Sequence, residues 1–162
     1  MSFDDDDDFD INDFNFEDDN PEETKREMDE EHKRVRDMPL MQKAKEIFDL
    51  THAICESMPD DNDYIEMYRS LLMENAIMLA PKIAGAEGIE DYGLKMENAV
   101  IIKMNAMQLR TQLDGCEIFD LVKDDYLDIL REAIDEFKIL FSAWVKKFEK
   151  YNIYDDGWGL WV

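Results

Sequence analysis

Largely apolar residues recur every three or four positions through four long segments that begin at residue 40. This spacing places them on one face of an α-helix, so each segment predicts an amphipathic helix with a buried stripe. No stretch alternates apolar and polar residues for long enough to predict a strand. The four stripes are Leu40, Ala44, Ile47, Thr51, Ile54, Cys55 and Met58; Ile65, Tyr68, Leu72, Ala76, Leu79, Ile83 and Ala86; Ala99, Ile102, Ala106, Leu109 and Leu113; and Leu127, Leu130, Ile134, Phe137, Phe141, Trp144 and Phe148.

Helix-breaking residues separate the four segments. Pro59 follows the first stripe, Gly88 ends the second, and Gly115 weakens the third. Helices joined by short connections must fold back on one another to bury their stripes. We therefore predict an all-α fold in which residues 38–150 form an antiparallel up-down-up-down four-helix bundle.

Residues 21–37 predict a different kind of helix, because they carry charges on every face. Asn20 stands at the N-cap position before a proline, which is a typical helix start. Only Met28 and Val35 could pack against other residues, so we expect a solvated helical arm. Pro39 disfavours helical geometry at the residue before it and ends this arm.

The first twenty residues combine strong negative charge with aromatic rings. Ten of them are Asp or Glu and none is Lys or Arg, within a chain whose net charge is −23. This composition is typical of disordered recognition segments, so we expect residues 1–20 to form a disordered acidic tail that recruits a basic partner. The alternative is a tail that only keeps the chain in solution. The rings proposed to bind the partner are Phe3, Phe9, Phe14 and Phe16.

The charge balance and the cysteines limit the partners and the compartment. Direct nucleic-acid binding is disfavoured, because affinity for phosphates comes from Lys and Arg. Cys55 and Cys116 lack a CxxC arrangement, and we predict two buried, reduced thiols rather than a disulfide. With no signal peptide and no apolar run of membrane-spanning length, we expect a cytoplasmic protein without a membrane segment.

The last residues, 151–162, are rich in aromatic side chains and contain two helix-breaking glycines. Burial of Trp158 and Trp161 would contribute about 3–6 kcal/mol together, which exceeds the cost of ordering a few residues. We therefore expect this segment to dock on its own bundle or on a neighbouring subunit. A third possibility is that it serves as a peptide ligand for another protein.

The residues for metal or nucleophilic chemistry are sparse. Asp49 and His52 form an acid-histidine pair on one helix face, but a dinuclear metal site in a bundle needs two such pairs. The only other histidine, His32, lies in the charged arm. No nucleophile elbow or phosphate-binding glycine loop is present. We predict no catalytic residues, no metal site and no cofactor. The carboxylates on other helices that could supply additional metal ligands are Glu74, Glu87 and Glu97.

The chain contains 11 methionines, and six of them fall on the second and third bundle helices. Ile101 and Met104 widen the third stripe, but other methionines must face away from the core. Methionine is common in adaptable interfaces, so a second apolar face that includes Met104 and Met107 predicts a homo-oligomer. Pro81 lies inside the second bundle helix, where its missing N–H predicts a kink.

The second and third helices resemble a known family at a few positions. Pro81 matches a mid-helix proline, Ile83-Ala84 and Glu87-Gly88 match an I-A-E-G helix end, and Thr111-Gln112-Leu113 match an E-L-x-T-Q-L stretch. The family is that of the four-helix-bundle proteins encoded within intervening sequences of bacterial 23S rRNA genes, which also includes the accessory protein of diversity-generating retroelements. Two departures are an expanded I-A-E-G block and Gln108, which stands where the family usually has an acid.

The resemblance covers about residues 40–150 and implies a four-helix bundle that is often a homopentamer. It implies no particular activity, although the retroelement accessory protein is basic and is thought to bind nucleic acid. The first functional hypothesis is a non-catalytic, oligomeric interaction scaffold with a partner-recruiting acidic tail. The alternative is a regulator of nucleic-acid transactions that acts by acidic mimicry or as a retroelement-type accessory protein.

Overall fold

The fold is all-helical, as the apolar periodicity predicts. The computed structural model describes residues 20–59, 62–151 and 153–160, and within them it contains five α-helices and no strand. By internal packing the chain divides into two compact units, Met1–Lys33 and Arg34–Val162. None of the described helices combines the length and the apolar character needed to cross a membrane. The helices are α1 Pro21–Asp37, α2 Pro39–Ser57, α3 Asp63–Glu87, α4 Tyr92–Ile118 and α5 Asp124–Val145.

The first unit contains most of α1, a helix without a fully buried residue. Asn20 starts this helix: its side-chain oxygen accepts a hydrogen bond from the backbone N–H of Glu22 at 3.3 Å, and its carbonyl accepts from that of Glu23 at 2.9 Å. These contacts satisfy N–H groups that the first turn of a helix otherwise leaves without partners. Met28 is exposed, as expected for a solvated arm.

Met38 separates α1 from α2. Its backbone is extended, with φ −60° and ψ 135°, because the ring of Pro39 disfavours helical geometry at the preceding residue. Pro39 then occupies the first position of α2, where its missing N–H costs no hydrogen bond. The predicted break between arm and first stripe is confirmed.

In the second unit, α2 packs against α3 and α5, and α4 packs against the same two helices. The predicted stripes form the core: nearly all of their residues are buried, and Tyr68 and Phe141 are partly buried at its edge. One prediction about the core is wrong. Met104 does not widen the third stripe, because it lies two residues beyond the buried Ile102 and therefore on nearly the opposite side of α4.

Two helix-breaking residues, Pro81 in α3 and Gly115 in α4, lie inside their helices rather than at the ends. α3 continues through Pro81 to Glu87, and α4 continues past Gly115 to Ile118. Gly115 serves packing rather than helix termination, because a Cβ atom built there would lie 2.6 Å from the hydroxyl oxygen of Tyr68. The glycine therefore lets the Tyr68 side chain of α3 approach the backbone of α4.

Candidate functional site

Two exposed apolar stripes lie on α3 and α4. On α4, Val100, Met104 and Met107 follow i, i+4 and i+7 spacing, and Met104 and Met107 expose 53% and 58% of their surface. On α3, Met67 and Leu71 are one turn apart and are also exposed. We call these two exposed stripes together the methionine face. Exposed apolar side chains that line up along a helix are candidates for a protein interface.

The two helices that carry the methionine face are fixed to each other by a polar contact in their packing surface. The buried Asn75 of α3 donates from its amide nitrogen to the side-chain oxygen of Gln112 at 3.1 Å and to the carbonyl of Leu71 at 3.0 Å. A buried amide with partners on both helices sets their relative register, since a shift would leave it without hydrogen bonds. No local sequence pattern marks this pair, because its members are far apart along the chain.

The residues of the proposed family resemblance have ordinary structural roles here. Leu113 is buried in the core, Gln112 contacts Asn75, and the hydroxyl of Thr111 donates to the carbonyl of Met107 at 3.1 Å. Pro81 is exposed on α3. These contacts explain why the Thr-Gln-Leu order suits a helix that packs on one side and is exposed on the other.

Of the aromatic residues predicted to bind a partner or to dock on a bundle, the structure describes only Trp158. Trp158 is 82% exposed, and its backbone N–H is held by a local turn to the carboxylate of Asp156 at 3.0 Å. The segment touches the helical unit earlier, where the Tyr154 N–H donates to Asp91 at 3.0 Å. Five of the predicted residues lie outside the described residues: Phe3, Phe9, Phe14, Phe16 and Trp161.

A second feature, which sequence reasoning missed, is a groove near Trp144. The carboxylate of Glu87 is only 13% exposed, and it accepts hydrogen bonds from the Arg34 guanidinium at 2.8 Å and from the Trp144 indole N–H at 2.6 Å. Beside this cluster is a groove of about 370 Å³. Lys95 lies at its edge, with its ammonium 5.5 Å from the centre of the Phe148 ring.

Arg131 and Arg69 are partly buried, and their partners indicate structural roles. Arg131 on α5 is paired with Asp114 of α4 at 2.9 Å and with Glu117 of the same helix, and these carboxylates raise its pKa above the usual value. Arg69 on α3 donates to the carbonyls of Cys55 and Met58 at the end of α2, at 3.0 and 2.8 Å. Both arginines therefore join neighbouring helices.

The candidate catalytic and metal-binding side chains are not gathered into a site. Burial raises the pKa values of the Cys55 and Cys116 thiols to about 11, which keeps both groups protonated and weakly nucleophilic near neutral pH. His52 is exposed, and its Nδ1 lies 3.7 Å from the carboxylate of Glu56 on the same helix. Within the described ranges, no group of three His, Cys, Asp or Glu side chains is placed to hold a metal ion.

No protein-family model matches the chain, and no curated protein gives a significant match. The functional proposals therefore rest on the methionine face, on the groove near Trp144 and on the charge pattern of the sequence.

Proposed function

We propose that the chain is a non-catalytic, oligomeric helical-bundle protein that acts as a protein–protein interaction scaffold. The methionine face carries this proposal. Its side chains are flexible and apolar, and contact with a second copy of the chain would remove them from water. The occupant we propose for the methionine face is this second copy, which would contribute the same face in a two-fold contact or a different surface in a ring such as a pentamer.

The proposed architecture of the scaffold is an antiparallel up-down-up-down four-helix bundle formed by α2 to α5. The contacts support it, since each of these helices packs against the two that neighbour it in a ring, and α2 closes the ring with α5. Short connections between successive long helices favour the antiparallel arrangement. We also propose kinship with the family of 23S rRNA intervening-sequence proteins, on the basis of Pro81 and Thr111-Gln112-Leu113, and with it a pentamer as one possible assembly.

The second part of the proposal concerns residues 1–20, the acidic tail. Ten acidic residues without a single Lys or Arg favour a basic partner, and the rings of Phe3, Phe9, Phe14 and Phe16 could enter apolar pockets on that partner. The tail would thus give affinity through its rings and fast association through its charge. The assembled bundle would present several copies of it, which increases avidity.

Removal of the four rings tests the recruitment proposal without changing charge. The variant with Phe3, Phe9, Phe14 and Phe16 replaced by Ala keeps all ten carboxylates, and it should capture fewer basic proteins than the unchanged chain. Equal capture by the two proteins would contradict ring-dependent recruitment. Release of the captured proteins by added DNA or RNA would favour the alternative function, in which the tail mimics nucleic acid.

The size of the assembly tests the scaffold itself. We expect light scattering to give a molar mass well above the 19.2 kDa of one chain. Substitution of the methionine face should reduce that mass without unfolding the chain.

A further inference from the structure

The groove beside Glu87, which we call the Trp144 groove, combines an apolar floor with a cationic rim. Its volume of about 370 Å³ is within the range of sites that hold small ligands or single side chains. The floor is contributed by helix α5 and the residues just after it, and by the start of α2. The floor residues are Leu40, Trp144 and Phe148, and the rim residues are Arg34, Lys95 and Lys147.

Three cations and a single acid line this groove, on a chain with a net charge of −23. The charge of the lining residues is therefore positive, and the acid, Glu87, already accepts hydrogen bonds from two donors. The ammonium of Lys95 lies over the ring of Phe148 and can still meet an anion on its outer side. The groove therefore favours a ligand with carboxylates next to an aromatic ring.

Among the segments of the sequence that place carboxylates beside aromatic rings, the acidic tail has the longest run of acids. In the acidic tail, five consecutive aspartates at positions 4–8 are flanked by Phe3 and Phe9. A phenyl ring would contact the aromatic floor, where edge and offset ring contacts are favourable. The adjoining aspartates would meet the cations of the rim.

We propose that the Trp144 groove binds the acidic tail of a second copy of the chain, with Phe3 or Phe9 in the groove and aspartates on Arg34, Lys95 and Lys147. This contact is separate from the methionine face and would link copies through tail and groove. It rests on the proposed role of the tail as a recognition segment. A basic partner would then have to compete with the groove for the acidic tail.

Binding of a labelled peptide of residues 1–20 to the full-length chain tests the proposal. Fluorescence anisotropy should show saturable binding that weakens as salt is added. The double substitution K95E/K147E should weaken binding by at least about tenfold, because it removes two attractive charges and adds two repulsive ones. The matched control is K45E/K138E, which changes the net charge equally at two exposed lysines that do not line the groove, and it should bind the peptide as the unchanged chain does.

A second peptide tests the proposal without requiring that a substituted protein folds correctly. With all four phenylalanines replaced by Ala, the peptide retains its charge and should bind at least about tenfold more weakly if a ring enters the groove. Absence of saturable binding, equal loss in both lysine variants, or equal affinity of the two peptides would each overturn the proposal. A chain that binds the peptide but recruits no basic protein would overturn the recruitment proposal alone.

Discussion

The indole N–H of Trp144 on α5 donates a hydrogen bond of 2.6 Å to the Glu87 carboxylate at the end of α3. The second oxygen of that carboxylate accepts from Arg34 at 2.8 Å. Trp144 is buried, so its N–H depends on Glu87 rather than on water. This contact fixes the end of α3 to α5 and shapes the floor of the Trp144 groove.

Substitution of Glu87 by Gln should destabilise the fold. Both carboxylate oxygens accept a hydrogen bond, and an amide must place its NH₂ group against one of the two donors. We expect the free energy of unfolding to fall by about 1–2 kcal/mol, as measured by urea denaturation. The control is Glu90→Gln, because Glu90 is exposed and only a few residues away, and it should change stability by less than about 0.5 kcal/mol.

A double-mutant cycle with Trp144→Phe separates the hydrogen bond from packing. Phe retains most of the ring but has no N–H, and Glu87→Ala removes both acceptor oxygens, so Trp144→Phe should cost less in a Glu87→Ala background than in the unchanged chain. Additive effects of the two substitutions would contradict the assigned contact.

Alanine substitutions at two glycines test how closely α3 packs against α4. A Cβ atom at Gly115 would lie 2.6 Å from the Tyr68 hydroxyl oxygen, whereas one at Gly85 would meet nothing within 4 Å. Gly85→Ala should stabilise the chain by about 0.5–1 kcal/mol through helix propensity. Gly115→Ala should instead destabilise it by about 1–3 kcal/mol, because Tyr68 must move away from α4.

The measurement is the unfolding free energy of each glycine variant under identical conditions. Addition of Tyr68→Phe should recover part of the loss in Gly115→Ala, since it removes the closest atom. If Gly115→Ala and Gly85→Ala stabilise the chain equally, the packing assigned to Tyr68 is wrong.

The two buried thiols predict a loss of stability at alkaline pH. Burial raises the pKa values of Cys55 and Cys116 from 9.0 to about 11. Between pH 9 and 11 the unfolded chain releases these protons while the native chain keeps them. The native state then binds more protons, so the free energy of unfolding falls as pH rises through this window, and these groups have no effect on its slope below it.

The Cys55→Ala/Cys116→Ala double variant is the control for that prediction. It loses some packing at every pH, but its stability should decline less steeply between pH 9 and 11 than that of the unchanged chain. Both proteins contain the same tyrosines and lysines, so the difference in slope comes from the thiols and from the part of the raised Tyr68 pKa that Cys116 contributes. Parallel curves would contradict buried, protonated cysteines.

The sequence predicted the helices and the core well, because both depend on local spacing. Leu72, Ile102 and Phe137 belong to stripes whose three-four alternation is visible without any structure, and all three are buried. The breaks at Pro39 and Gly88 follow from backbone chemistry that acts on adjacent residues. These features need no knowledge of which helices are neighbours.

The candidate sites were predicted much less well, because they depend on contacts between distant residues. Glu87 and Trp144 are 57 positions apart, and no local pattern marks their hydrogen bond. The sequence pattern at Gly115 indicated a weak helix end. In the structure the helix continues, and the side chain of Tyr68 packs against this glycine. Met104 was predicted both to widen the core and to form an interface, and only its exposure distinguishes the two roles.

The molar mass in solution, measured by light scattering across micromolar concentrations, tests the central proposal most directly. At high salt, which weakens the charged contact between tail and groove, we expect an oligomer for the unchanged chain and dissociation for Met104→Glu/Met107→Glu, since charges on a buried subunit contact are costly. Ile139→Glu, at an exposed position on α5, should leave both the mass and the helical circular dichroism unchanged. A monomeric mass for the unchanged chain at every concentration would contradict the account.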